Sequence, residues 1–203
     1  MTRTLTLASA ALAALSLAAC NKPADGASNP PSAVTPQEKA ETPDAHPAAT
    51  IPTPANEAAA PDFVAKAAAS DMFEIAAAKI ALARSTNPDV KAFARMMETA
   101  HTATTKALKA AIKDAGRTDL APPAALPSDL QGKLDDLNKA DAASFDKTYI
   151  DQQVDAHQAT LDLMQRYAKD GDVAQIKAFA ADTAPHVQDH LTKAKGIKDA
   201  LKK

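Results

Sequence analysis

The stretch "VKAFARMMETAHTATTKAL", residues 90–108, decides the fold. Apolar side chains recur at three- and four-residue spacing, as on one face of a helix, whereas a strand would alternate with a period of two. The stripe comprises Val90, Phe93, Met97, His101, Thr104, Leu108 and Ala111. Asn87 can cap the helix start and Pro88 suits its first position. Gly116 supplies a glycine C-cap. The predicted helix therefore runs from Pro88 to about Ala115, with a histidine inside its apolar face.

Three more long helices flank it. Upstream, "FVAKAAASDMFEIAAAKIAL" (63–82) gives a helix from about Pro61 to Arg84. Its stripe is Val64, Ala68, Met72, Ile75 and Leu82, interrupted by Lys79. Downstream, "TDLAPPAALP" (118–127) is irregular, and Ser128 is expected to cap a short helix bearing Leu130, Leu134 and Leu137. The third long helix spans about Asp141 to Ala168, with Ile150, Val154, His157, Leu161, Met164 and Ala168 in line. "KDGD" (169–172) makes a turn, and the fourth helix runs from about Val173 to Leu201. Its inner face carries Ile176, Ala180, Thr183, Val187, His190 and Ala194. Pro185 within it is expected to bend the helix or free a carbonyl one turn back.

The links between long helices are short, long and short. Short links make two antiparallel hairpins. A middle link of roughly 23 residues could span about 40 Å, enough to cross the length of a bundle. The expected fold is thus all-α, a ferritin-like four-helix bundle with a long connection between helices two and three. A simple up-down bundle is the alternative.

The first 19 residues have the layout of a secretory leader: Arg3, a short apolar run, then Leu17-Ala18-Ala19-Cys20. That ending resembles a bacterial lipobox, with Cys20 as the lipidated residue and lipid chains as the membrane anchor. Asn21, by resemblance to enterobacterial lipoproteins, points to the outer membrane and a periplasm-facing domain. Residues 20–61 form a Pro/Ala-rich tether holding nine of the fourteen prolines and too few large apolar side chains for a core. Residues 62–203 form the folded domain, with 20 basic and 20 acidic residues. Aromatics are 3% of the chain and Trp is absent. With no basic face or stacking residues, nucleic acid is not an expected partner. No Ser–His–Asp set, Gly-rich phosphate loop or cysteine-based site is visible.

The histidines carry the chemical signal. His101, His157 and His190 fall in the stripes of three different helices, and a buried imidazole needs a hydrogen-bond partner or a metal. Glu98-Thr99-Ala100-His101 has the Glu-x-x-His spacing of ferritin-like carboxylate proteins. With Glu74 on helix one it resembles half of a dinuclear site. The other half is missing: helices three and four contain no Glu. His186 and His190, one turn apart, could grip one ion. A single His-rich site for Zn, Cu or Fe, through His101, His157 and His190, fits these residues better than a di-iron centre. Against it stands the ordinary role of helix histidines, which is to satisfy backbone or carboxylate groups at an interface rim.

"FVAKAAASDMFEIAAAKIAL", "VKAFARMMETAHT", "FDKTYIDQQVDAHQATLDLMQRYA" and "IKAFAADTAPHVQDHLTKAK" resemble successive blocks of one bacterial family of exported proteins, the ferritin-like domain of unknown function 4142. The resemblance covers residues 62–203. It implies a four-helix ferritin-like fold and an envelope location, with no established reaction. His101, His157 and His190 fall on its motif positions. Members commonly carry Asp-His in helix two, where this chain has Ala100-His101. Two functions are therefore open. One is a non-enzymatic envelope lipoprotein, a module for an envelope protein partner or for stress tolerance. The other is a metal-binding or metal-dependent redox protein using the inward histidines.

Overall fold

The computed structural model describes residues 58–202. The leader, Cys20 and the tether up to residue 57 lie outside the described residues. Five helices follow in order: α1 (Ala60–Arg84), α2 (Pro88–Asp114), α3 (Ser128–Lys139), α4 (Phe145–Asp170) and α5 (Ala174–Ala200). The described residues form an all-α bundle of four long helices, with α3 riding in the long connection.

The packing order settles the topology. α1 packs on α2 and on α4, and α5 packs on α4 and on α2. Residue pairs give the directions. Phe63 stacks on Tyr167 while Ser70 meets Thr160, so α1 and α4 are antiparallel. Phe93 contacts Tyr149 while His101 contacts His157, so α2 and α4 run the same way. The chain must therefore travel the length of the bundle between α2 and α4. This is the ferritin-like crossover, and it excludes the simple up-down alternative.

Local chemistry fixes the ends. Asn87 Oδ1 accepts from the amides of Asp89 (2.9 Å) and Val90 (3.3 Å), with Pro88 as first residue. Gly116, at φ 65°, closes α2: its amide donates to Lys113 O (2.9 Å) and that of Arg117 to Ile112 O (3.2 Å). That pair of bonds is a Schellman ending, and the left-handed backbone favours glycine.

Two expected starts need correction. Ser128 is the first residue of α3, not its cap, because Pro127 occupies the cap position. α4 begins at Phe145 rather than Asp141, because the Asp141 carboxylate accepts from the amide (2.8 Å) and hydroxyl (2.9 Å) of Ser144 and closes a separate turn. α1, whose cap residue Ala59 has no capping side chain, is capped from a distance. Asp172 Oδ1 accepts from the Ala60 amide and from Tyr167 Oη, both at 2.9 Å. A Cβ at Gly171 would lie 2.6 Å from Tyr167 O, so only glycine fits the turn beside it. The Arg84 guanidinium donates to the carbonyls of Leu137, Asn138 and Ala140 and lies over the Phe145 ring, fastening the end of the crossover to α1. α5 continues through Pro185, whose missing amide leaves the Ala181 carbonyl without its helix partner.

The buried face of α1 differs from the expected stripe. Asp71, Glu74, Ala78 and Ala81 are buried, whereas Met72, Ile75 and Leu82 are only partly so and Lys79 is exposed. The small alanines permit close helix approach and so turn the inward face one position away from the larger side chains. The consequence is a core in two apolar halves. One gathers Phe63, Leu108, Ile112, Met164, Tyr167 and Ile176. The other gathers Phe73, Val90, Met97, Leu137, Tyr149 and Ile150. Between them lies a polar layer: Asp71, Glu74, His101, Gln153, His157 and Thr160, all buried.

Candidate metal centre

Each of the four long helices contributes to the polar layer at one level. α1 supplies Asp71 and Glu74, a turn apart on the inward face. α2 supplies His101, with Thr105 one turn on, α4 supplies Gln153 and His157, and α5 supplies His190. The rings of His101, His157 and His190 form a nearly regular triangle, with centroids 5.6, 5.8 and 5.5 Å apart. One nitrogen from each lies within 4.8 Å of the others. Buried and without a hydrogen-bond partner are His101 Nε2, His157 Nε2 and His190 Nδ1.

The remaining nitrogens of the two buried rings are engaged. His101 Nδ1 donates to Asp71 Oδ1 at 2.8 Å. The Thr105 hydroxyl, 3.0 Å from Asp71 Oδ2 and 2.9 Å from the His101 carbonyl, holds that pair in place. His157 Nδ1 donates to the Gln153 carbonyl at 2.8 Å. In the neutral ring a proton held on Nδ1 leaves the lone pair on Nε2, so His101 and His157 each have a bare acceptor to offer when His101 is unprotonated. This is the arrangement in which metal-ligating histidines are oriented by a carboxylate or a backbone carbonyl.

Glu74 sits beside this set, Oε1 lying 3.7 Å from His157 Nδ1. Its Oε2 and the Tyr149 hydroxyl are buried without a partner. Glu74 is buried, whereas Ile75, expected on the inward stripe, is half-buried. Glu98 is half-buried and outside the triangle, so the Glu-x-x-His spacing brings only its histidine inward. His186 is exposed on α5 and is likewise outside it. Asp71 and Thr105 are among the members that the sequence analysis did not single out. The signal available for Asp71 was its place one turn before Glu74, among alanines that face inward.

Burial and charge tune these groups. Burial lowers His157 to about 4, with the positive charge on His101 adding to it and the Gln153 carbonyl opposing. Burial lowers His190 to about 3, helped by the neighbouring His157 and His101. Burial also works against a charged His101, yet the Asp71 hydrogen bond and the charges of Glu74 and Asp71 outweigh it and raise its pKa. Burial holds the carboxyls of Asp71 and Glu74 above the ordinary range, against the pull of His101.

These directions fix a pH dependence. An imidazole whose folded pKa is depressed favours folding fully above its unfolded value and loses that contribution as pH falls through the folded one. For His157 the interval runs from 6.5 to about 4, worth about 3 kcal/mol. The raised groups act oppositely, favouring the folded state at low pH and losing that as pH rises through their folded values. Through His157 and His190 the metal-free protein should lose stability as pH falls from roughly 6.5 to 4, with Asp71, Glu74 and His101 acting against that loss. Urea unfolding at a series of pH values checks this. A parent profile no steeper across that window than that of His157→Leu would show that the His157 imidazole is not buried neutral.

In comparison with known proteins, the model of the family described as Domain of unknown function (DUF4142) matches residues 45–197. No curated protein and no solved structure matches the chain.

Proposed function

The chain belongs to the DUF4142 family, and we propose that its bundle is a mononuclear binding site for a divalent transition metal held by His101, His157 and His190. The observation that carries this is the convergence of three imidazoles in the layer that splits the core, one nitrogen of each within 4.8 Å of the others and each ring with an unpartnered nitrogen. A buried polar atom left unpaired costs about 1–3 kcal/mol, and three such atoms aimed at one point need a common partner. A cation is the partner that suits three acceptors and no donor.

Three neutral nitrogens suit Zn, Cu or Fe, whereas Mg and Ca take oxygen ligands. Tetrahedral ligands at 2.0–2.1 Å stand about 3.3 Å apart, so the triangle needs to contract by at most roughly 1.5 Å to close on an ion. Three protein ligands leave one position of a four-coordinate ion open. Asp71 and Glu74, both ionised, would balance the two positive charges, and Asp71 would act through His101 as its orienting partner. Three histidines and no ligating carboxylate favour one ion over a di-iron pair.

Equilibrium binding tests this. The purified chain, without an affinity tag and stripped by chelator, should take up close to one Zn²⁺, Cu²⁺ or Fe²⁺ per chain. Uptake near zero for all three would overturn the proposal.

The leader and tether put this module in the cell envelope, anchored by lipid on Cys20 to the outer membrane and facing the periplasm. The support is the coincidence of the small-residue pattern, the cysteine and the proline-rich stretch after it. In the native host Cys20→Ser should abolish acyl labelling and release the protein from membranes. Continued attachment would exclude the lipid anchor.

A further inference from the structure

Two of the three ligands have no path to solvent of their own: His101 is 3% exposed and His157 1%. His190 is the half-buried member. Its ring lines an open groove of about 700 Å³ between α2 and α5. The walls are mostly small, with Ala103 and Ala107 on one side and Ala178 and Thr183 on the other. The charged side chains that line it are Asp114 and Asp182, and neither Lys nor Arg does so. Lys193, three residues past His190, donates to Met96 Sδ instead (3.4 Å). The cavity beneath the crossover is balanced in charge, with Lys66, Lys133 and Arg166 in its lining against Asp129, Asp155 and Asp162. The groove that reaches the triangle is therefore the one whose charges favour a cation.

His186 stands in the same groove, exposed and one turn before His190. Asp182 lies one turn before His186. Residues four apart on a helix share a face, so α5 presents a carboxylate, an outer imidazole and an inner imidazole in a row.

We propose that the α2/α5 groove is the route by which a divalent transition metal reaches the centre, with His186 as its capture ligand. This rests on the metal-binding reading above. The acidic groove raises the local concentration of the hydrated cation. His186 takes it first, and His190, the neighbouring imidazole that also belongs to the triangle, receives it next. His186 is then a kinetic residue, absent from the finished coordination sphere. The pair that looks in sequence like a two-pronged grip is a relay.

The test uses the full chain and Co²⁺ alone as probe, following the ligand-field absorption by stopped flow. The parent is compared with His186→Ala and with Ala103→Trp, which obstructs the groove; both positions are exposed, so neither change disturbs the core. In both variants the uptake rate should fall about tenfold, the scale of electrostatic and access effects on association, with final occupancy and end spectrum unchanged. Uptake at the parental rate in both would overturn the route. A lower final occupancy in His186→Ala would make His186 a ligand of the finished site and overturn the relay. A parent chain that binds no Co²⁺ at equilibrium would instead remove the metal-binding reading, and the route with it.

Discussion

Replacing His157 with leucine is expected to abolish metal binding while leaving the metal-free protein as stable as the parent or more so. His157 is 1% exposed, and its Nε2 has no partner. Its Nδ1 bond goes to the Gln153 carbonyl, an oxygen that already accepts from the helix backbone. The other group beside the ring is Glu74, whose Oε1 lies 3.7 Å from Nδ1, and burial already holds its carboxyl above the ordinary range. Leucine fills a similar volume, and losing an unpaired buried nitrogen returns about 1–3 kcal/mol. With two imidazoles left, affinity should fall by more than about 100-fold, beyond the range seen when outer-shell partners are lost. Thermal unfolding with and without Zn²⁺ reads both effects at once. Metal at 100 times its Kd stabilises the parent by about 2.7 kcal/mol, and the variant should gain nothing. A histidine that served only the core would give the opposite pattern, a destabilised variant with unchanged metal response.

The second large effect belongs to a residue that touches no metal. Asp71→Asn should weaken metal affinity by roughly 10–100-fold while keeping the fold. Asp71 accepts the His101 Nδ1 proton at 2.8 Å and so sets which nitrogen is bare. Asparagine keeps the shape and the contact with Thr105. It removes the charge that makes His101 a stronger donor ligand, and one of two charges that balance a divalent ion. Asparagine retains a side-chain oxygen to accept from His101 Nδ1, so the fold should persist. Isothermal titration with Zn²⁺ measures the affinity, and circular dichroism the fold. Unchanged affinity would mean that Asp71 is a structural partner of His101 and no more.

Much of the bundle was legible in the sequence because its signals are local. Asn87-Pro88 and Gly116 mark the ends of α2 through backbone geometry that any helix shares. The long link between α2 and α4 pointed to the crossover, and the antiparallel pairing of α1 with α4 established it. Where local signals compete, the sequence was less readable. Asp141 forms a turn with Ser144 that delays α4, and no periodicity reveals that choice.

The three histidines were legible as candidate ligands because each interrupts an apolar stripe. Their common level in the bundle was not, since it depends on how far each helix slides. Asp71 was hidden for a related reason. On a helix rich in alanine, the inward face is set by close packing and not by the larger side chains, so Met72 and Ile75 drew the stripe one position off. Glu98 illustrates the converse: three-residue spacing puts it near His101 along α2, but α2 is turned so that only the histidine faces the centre.

X-ray absorption at the metal edge of the loaded chain tests the centre most directly. A mononuclear three-histidine site requires imidazole scattering from three nitrogens at about 2.0–2.1 Å, with no second metal nearby. A shell made only of oxygen, or a metal neighbour at about 3.5–4 Å, would contradict it and restore a carboxylate-bridged pair.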